Sequence, residues 1–168
     1  FFENILASVR KYGKKPILWF ELNNEYPPAD DYLFPYPKDV VLVSWRGGMT
    51  PTGSDLSAER GHNVIMDPGE YCYYDYPQYK GDLPEYNNWG MPMTTLERAY
   101  RLDPGYGRPL SKQQHIWGVM GALWGEAIID INRATYMSFP RAFALAEAGW
   151  TQMENRSWES FKKRVLPN

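Results

Sequence analysis

The sequence predicts an α/β fold in which buried parallel strands alternate with helices or long loops. Four short apolar runs are bounded by turn residues, and amphipathic stretches with three- and four-residue spacing separate several of them. The apolar runs are continuous rather than alternating, which is typical of parallel strands covered on both faces. With 168 residues, the chain has room for a single domain, residues 1–168.

The first half of the chain predicts a helix, three strands and a second, short helix. Residues 1–12 carry an apolar stripe of Ile5, Leu6 and Val9, which predicts an amphipathic helix. The strands are the apolar runs PILWFE, VVLVSW and NVIMD, and a short helix precedes the third of them. In order, the predicted strands and the short helix span residues 16–21, 40–45, 56–61 (helix) and 63–67.

The second half predicts a long loop, a fourth strand and two helices. Residues 68–92 are polar and aromatic and are predicted as a loop, and a helix follows over residues 94–100. Residues 115–124 form the fourth apolar run. The last helix is expected to begin near Pro140, a favourable first-turn residue, with Ser138 as its cap.

Four such strand–helix units make half of an eight-stranded (β/α)8, or TIM, barrel, which usually needs about 250 residues. The sequence therefore predicts a partial TIM barrel with two open sheet edges. Open edges carry free N–H and C=O groups that pair readily. We expect the chain to form a homodimer through these edges, or to cover its inner face with the loop of residues 23–37.

Charge, apolar runs and cysteine content exclude several classes of protein. The formal net charge of −2 gives no general attraction to nucleic acid. The longest apolar run is much shorter than the ~20 residues that cross a bilayer, so no membrane span is predicted. Cys72 is the single cysteine, which rules out an intramolecular disulfide framework and a cysteine-based zinc cluster.

Aromatic residues make up 16% of the chain, and several of them follow the predicted strands. In parallel βα folds, functional side chains collect where strands end. Each strand here delivers a tryptophan or a Tyr/Asp pair to that edge, together with carboxylates. Flat rings pack against the C–H face of a sugar, and carboxylates accept its hydroxyl protons. The candidate residues are Trp19, Glu21, Trp45, Tyr71, Tyr73, Tyr74, Asp75, Trp124 and Glu126.

Each candidate also has an ordinary structural explanation. A single tryptophan at a strand end lies in the core more often than in a ligand wall. Asp75 could cap a helix, and Glu126 could pair with Arg133. The coincidence of such residues at all four strand ends favours a carbohydrate site.

Three segments of the chain resemble motifs of the family 20 glycoside hydrolases, the β-N-acetylhexosaminidases and chitobiases. The sequence GHNVIM followed by YYD is similar to the family's G-x-x-V-I … Y-L/F-D pattern. GVMGALWGE resembles G-x-Q-x-x-L-W-x-E, with Met120 where the family commonly has glutamine. PRAFALAE, with Trp150 after it, resembles P-R-x-x-A-L-A-E-x-x-W. By this resemblance the chain is the C-terminal half of the catalytic barrel, roughly its last four βα units.

The resemblance implies a retaining, substrate-assisted exo-hydrolase that releases terminal β-linked GlcNAc or GalNAc from glycans or chitin oligomers. In that mechanism the 2-acetamido oxygen of the substrate attacks the anomeric carbon, and an oxazolinium ion forms. Trp19, Trp45 and Trp124 match the tryptophans that enclose the acetamido group. The resemblance implies no cofactor and no metal, and it implies a periplasmic or secreted location for the full-length protein.

Three further residues receive roles from the same resemblance. Tyr73 matches the catalytic tyrosine whose hydroxyl donates to the acetamido oxygen. Asp75 and Glu126 match carboxylates that bind hydroxyls of the terminal sugar near O6 and O4. They hold the substrate and do not transfer the proton.

The family's adjacent Asp-Glu pair, which includes the general acid, is not found in this sequence. Asp67 and Glu70 lie near each other but follow the wrong strand, and the expected place for the pair lies before Phe1. We therefore expect this chain alone to be inactive. Two alternatives remain: another retaining barrel glycosidase that uses Asp75 and Glu126 as its pair, or a non-catalytic carbohydrate-binding module.

Overall fold

The structure is a computed structural model that describes residues 1–20, 36–82 and 92–166. Within those ranges it contains a four-stranded sheet and seven α-helices. The strands are β1 (Ile17–Phe20), β2 (Val41–Ser44), β3 (Val64–Met66) and β4 (Ile116–Val119). The helices are α1 (Phe2–Lys11), α2 (Thr50–Glu59), α3 (Gly69–Cys72), α4 (Leu96–Tyr100), α5 (Ile131–Ser138), α6 (Arg141–Trp150) and α7 (Trp158–Val165).

All neighbouring strands of the sheet are parallel, and their order is the order of the sequence, β1-β2-β3-β4. Trp19 pairs with Val43, and Val43 pairs with Ile65 on the next strand. These three residues therefore share one face of the sheet. The predicted α/β fold with a parallel sheet is confirmed, whereas the partial TIM barrel with two open edges stays a prediction.

The opposite face of the sheet packs against helices. Leu6 of α1 forms a buried cluster with Phe20, Val40 and Leu42. Burying a leucine side chain of this kind contributes roughly 1.5–3 kcal/mol. A second cluster joins Cys72, Tyr74, Leu102, Leu145 and Ala148 under Val119. The helices thus cover one face of the sheet, and Trp19 and Val43 lie on the opposite face.

Among the described residues, both outer strands of the sheet expose large apolar side chains. Ile17 on β1 is 54% exposed and Trp117 on β4 is 52% exposed. Val43 on the central strand β2 is buried. The predicted covering loop of residues 23–37 lies almost entirely outside the described ranges. The homodimer therefore stays a prediction.

Two predicted elements have different lengths in the structure. The helix predicted from residue 56 begins at Thr50, because Pro51 fits the first turn, where no N–H is needed. The fourth strand ends at Val119 rather than at residue 124, because its partner strand β3 ends at Met66, which pairs with Val119. Beyond that pair, an isolated bridge between Tyr73 and Ala122 replaces the regular ladder.

The sequence did not predict three of the helices, α3, α5 and α7. The short helix α3 lies within the predicted loop. Asp130 caps α5 and accepts a hydrogen bond from the Arg133 N–H at 2.7 Å. Ser157 caps α7 in the same way. The expected cap of α6 by Ser138 is wrong, since Pro140 occupies that position without a side-chain cap.

Candidate functional site

Four aromatic side chains, one from each strand–loop segment, form a closed circuit of ring contacts. The ring centroids of Trp19 and Trp45 are 6.3 Å apart, and those of Trp45 and Tyr73 are 6.2 Å apart. Tyr73 lies 6.1 Å from Trp124, which in turn lies 5.5 Å from Trp19. The structure therefore brings the three predicted tryptophans and the predicted tyrosine together in one site.

The circuit forms because parallel strands present their carboxyl ends at the same edge of the sheet. Trp19 lies within β1, and Trp45 directly follows β2. Tyr73 follows α3 after the third strand, and Trp124 precedes the turn Gly125–Ala127 after the fourth. Trp19 and Trp124 are each 41% exposed, so their rings are accessible as a surface as well as packed against each other.

Tyr73 is held in place by hydrogen bonds to the segment that carries Trp124. The Tyr74 N–H donates to the carbonyl of Ala122 at 2.7 Å, and the Ala122 N–H donates to the carbonyl of Cys72 at 3.1 Å. Gly121 permits this close approach, because a Cβ at that residue would lie 2.5 Å from the Tyr74 hydroxyl. These contacts fix Tyr73 next to Trp124 and leave it only 6% exposed.

The Tyr73 hydroxyl stays protonated across the physiological range. Burial raises the pKa of Tyr73, and the neighbouring Asp67 raises it further. A protonated phenol is a hydrogen-bond donor. The residue can therefore donate to a ligand oxygen within the aromatic circuit.

The two predicted carboxylates lie beside the same rings. The Trp124 N–H donates to Asp75 Oδ1 at 3.4 Å, and burial raises the pKa of Asp75. The exposed Glu126 also raises the pKa of Asp75, because two like charges near each other disfavour ionisation. Arg133 pairs with Asp82 at 2.8 Å, and the alternative pairing of Arg133 with Glu126 is not observed.

Arg141 positions the backbone around Asp75, a role that the sequence analysis did not identify. Its guanidinium is fully buried and donates to four carbonyl oxygens, two of which flank Asp75. Burial lowers the pKa of Arg141 to about 10, so the group remains charged at neutral pH. The acceptors belong to Tyr74, Tyr76, Thr94 and Met137. The signal in the sequence that pointed to Arg141 was its place in the segment PRAFALAE, directly after Pro140.

Asp67 is a buried carboxyl group at the base of the site. Its N–H continues the ladder by donating to the Ser44 carbonyl at 2.8 Å, and neither carboxyl oxygen has a hydrogen-bond partner among the described residues. Burial, and to a smaller extent the charge of Asp75, raises the pKa of Asp67 to about 8. Asp67 is therefore largely a neutral acid at pH 7.

We expect Asp67→Asn to stabilise the 168-residue chain at pH 9 and to have little effect at pH 4. The raised pKa of about 8 means that the folded state binds one proton more than the unfolded state between about pH 4 and pH 8. Stability then falls by about 1.4 kcal/mol per pH unit in that window as pH rises. Urea unfolding of both variants across this range measures the difference. Equal pH dependence of the two variants would contradict the buried, neutral state of Asp67.

Within residues 1–20, 36–82 and 92–166, no three His, Cys, Asp or Glu side chains lie close enough to hold a metal ion together. No helix within them has the length and apolar character needed to span a bilayer.

The chain is similar in sequence and in fold to several known proteins. Residues 1–153 match the family described as "Glycosyl hydrolase family 20, catalytic domain". A β-hexosaminidase of Akkermansia muciniphila is 38% identical over 167 residues, which are 98% of this chain and 31% of that protein. A β-N-acetylhexosaminidase of Cellulomonas fimi is 29% identical and is matched over 94% of this chain and 29% of its own length.

Solved structures show the same similarity. A crystal structure of a β-N-acetylhexosaminidase superposes with a TM-score of 0.79 at 37% identity, covering 98% of this chain and 32% of the other. The exo-β-N-acetylglucosaminidase of Vibrio harveyi, solved in complex with N-acetylglucosamine, gives a TM-score of 0.69 at 30% identity, over 95% of this chain and 23% of the other. The chain thus spans about a third or less of these relatives.

Proposed function

Since the chain belongs to glycoside hydrolase family 20, we propose that it forms part of an exo-β-N-acetylhexosaminidase acting on terminal β-linked GlcNAc or GalNAc. It supplies the C-terminal half of a (β/α)8 catalytic barrel, roughly the last four βα units. The strand order β1-β2-β3-β4, all parallel, supports this arrangement, because consecutive neighbouring strands are the pattern of such barrels. The complete enzyme is expected to be periplasmic or secreted.

The aromatic circuit is the observation that carries the proposal. A 2-acetamido group is flat and has an apolar methyl end and a polar carbonyl oxygen. The three tryptophan rings offer apolar walls to the methyl group, and Tyr73 offers a buried donor to the oxygen. Such a site excludes water from the acetamido group and restricts its orientation.

Within this site, Tyr73 is proposed to act during bond cleavage. The acetamido oxygen attacks the anomeric carbon, and the bond from that carbon to the leaving-group oxygen breaks. Water then attacks the anomeric carbon of the oxazolinium ion and restores the original β configuration. A hydrogen bond from the Tyr73 hydroxyl aligns the attacking oxygen with the anomeric carbon before the oxazolinium ring closes. The proton for the leaving group comes from an acid outside this chain, since the sequence contains no adjacent Asp-Glu pair.

Asp75 and Glu126 are proposed to bind hydroxyl groups of the terminal sugar. Both carboxylates lie at the rim of the circuit, where Asp75 contacts the backbone of Trp124 and Glu126 is exposed. Carboxylate–hydroxyl hydrogen bonds are strong and directional. Together they orient the ring so that its acetamido group enters the aromatic circuit. No step of this chemistry requires a cofactor.

We expect the pure 168-residue chain to show no measurable hydrolysis of a chromogenic β-GlcNAc substrate. A general acid contributes about 10²–10⁴-fold to the rate, and this chain has no Asp-Glu pair to supply it. The measurement is release of the chromophore at micromolar protein over hours, with a complete family 20 enzyme as the positive control.

The alternative glycosidase, with Asp75 and Glu126 as its catalytic pair, predicts the opposite result. Robust turnover by the chain alone, abolished by Glu126→Gln, would establish that alternative and overturn the proposed division of labour. Binding of GlcNAc without turnover, in the complete enzyme as well as in the chain, would favour a carbohydrate-binding module instead.

A further inference from the structure

Glu70 links the loop after β2 to the segment that carries Tyr73. Its side-chain Oε1 accepts a hydrogen bond from the Gly48 N–H at 3.1 Å. The other carboxylate oxygen, Oε2, is buried against Gly47, where an added Cβ would lie 3.1 Å from it. A carboxylate from α3 is therefore packed directly against the backbone that follows Trp45.

Hydrogen bonds to backbone groups hold Glu70 and its neighbour Gly69 in place. The Gly69 N–H donates to the carbonyl of Trp45 at 2.9 Å, which ties the first residue of α3 to the second strand's end. On the other side, the carbonyl of Glu70 accepts from Arg98 Nε at 2.7 Å and from the Thr94 hydroxyl at 3.2 Å. Glu70 is therefore bound by Arg98 of α4 on one side. On the other side it contacts residues 45–48, which we call the Trp45 loop.

The contact between Glu70 and Gly48 joins the two segments that carry the stacked rings of Trp45 and Tyr73. The rings of Trp45 and Tyr73 are nearly parallel, at 10°, with centroids 6.2 Å apart. The two residues come from different strand ends, so their separation depends on contacts between the segments that carry them. Glu70 supplies a side-chain contact of that kind, three residues before Tyr73.

We propose that Glu70 is a positioning residue that fixes the distance between Trp45 and Tyr73 and so limits the size of the acyl group that the site accepts. This inference rests on the proposed function, because the acyl group is that of a 2-acylamido sugar. A site with fixed walls discriminates against one additional methylene by about 10- to 200-fold. If the Trp45 loop moves outward, a propionyl group fits and the preference for acetyl decreases.

The test uses the complete enzyme that contains this chain, with matched 4-nitrophenyl glycosides of N-acetyl- and N-propionyl-glucosamine. Glu70→Ala removes the acceptor for Gly48, and we expect the acetyl-over-propionyl ratio of kcat/KM to fall about tenfold. Glu70→Gln keeps a side-chain oxygen acceptor and is expected to retain most of the selectivity. Gly47→Ala displaces the carboxylate from the other side of the contact and should lower the ratio as well.

Glu97→Ala is the control, because Glu97 is an acidic residue of α4 whose side chain pairs with Arg101 on the surface. Its selectivity should equal that of the wild type. If Glu70→Ala does not fold, Gly47→Ala decides the question alone. An unchanged acetyl-over-propionyl ratio in folded Glu70→Ala, or in Gly47→Ala, would overturn the inference while leaving the proposed function intact. A wild-type enzyme without hexosaminidase activity would contradict the proposed function itself.

Discussion

In the complete enzyme, Tyr73→Phe is expected to lower kcat by about 10²-fold, the loss that a misplacement of about 1 Å at the reacting atoms can cause. KM should change little, because the hydrogen bond aligns the attacking oxygen with the anomeric carbon and adds little to the affinity for the substrate. The ring itself remains, so its stacking with Trp45 and its contact with Trp124 are preserved. Steady-state kinetics on a chromogenic β-GlcNAc glycoside measure both constants.

Tyr76→Phe is the matched control for this substitution. The Tyr76 ring lies 5.3 Å from that of Tyr73, and burial raises the pKa of Tyr76 as well. Its hydroxyl has no role in the proposed chemistry, so we expect kinetics close to those of the wild type. Equal kinetics for wild type and Tyr73→Phe would show that the proposed donor role is incorrect.

The strands and the site edge could be predicted from the sequence because both depend on local patterns. Continuous apolar runs indicate strands covered on two faces, and all four predicted strands are present. Parallel strands place their carboxyl ends together, which predicts that Trp19, Trp45 and Trp124 meet at one edge of the sheet. The structure brings their rings together, at centroid distances of 5.5 Å and 6.3 Å.

The roles of Asp67, Glu70 and Arg141 could not be predicted from the sequence, because they depend on contacts between distant segments. Arg141 binds the carbonyl of Tyr74 across 67 positions of sequence, and Glu70 binds Gly48 across 22. Backbone carbonyl and N–H groups are present at every non-proline residue, so the sequence gives no signal for which of them is bound. The burial of Asp67 likewise depends on which side chains cover the strand end.

The same limitation explains the missed helix α3. It has only four residues, too few to show a helical period, and its first residue is held by a hydrogen bond from the Gly69 N–H to the carbonyl of Trp45, which follows β2. Helix α7 has two signals in the sequence, the cap residue Ser157 and an apolar stripe of Trp158, Phe161 and Val165, and the sequence analysis used neither of them.

The largest stability effect is expected for Arg141→Met, which replaces a buried guanidinium with an apolar side chain of similar length. Carbonyl oxygens of Tyr74, Tyr76 and Thr94 then lose a charged donor in the protein interior. Each buried acceptor left without a partner costs about 1–3 kcal/mol, so the free energy of unfolding should fall by at least about 3 kcal/mol.

Arg141→Lys keeps the charge but has no planar fork to reach several carbonyls at once, so we expect it to recover only part of the lost stability. The control is Arg101→Met, which removes an exposed arginine paired with Glu97 on the surface and should change stability by less than about 0.5 kcal/mol. Urea unfolding of the three variants and the wild type gives the comparison. Because the bonded carbonyls of Tyr74 and Tyr76 flank Asp75, a folded Arg141→Lys enzyme should also bind its sugar more weakly, seen as a raised KM. If Arg141→Met has the same free energy of unfolding as the wild type, the buried hydrogen bonds of Arg141 do not hold the Asp75 segment in place.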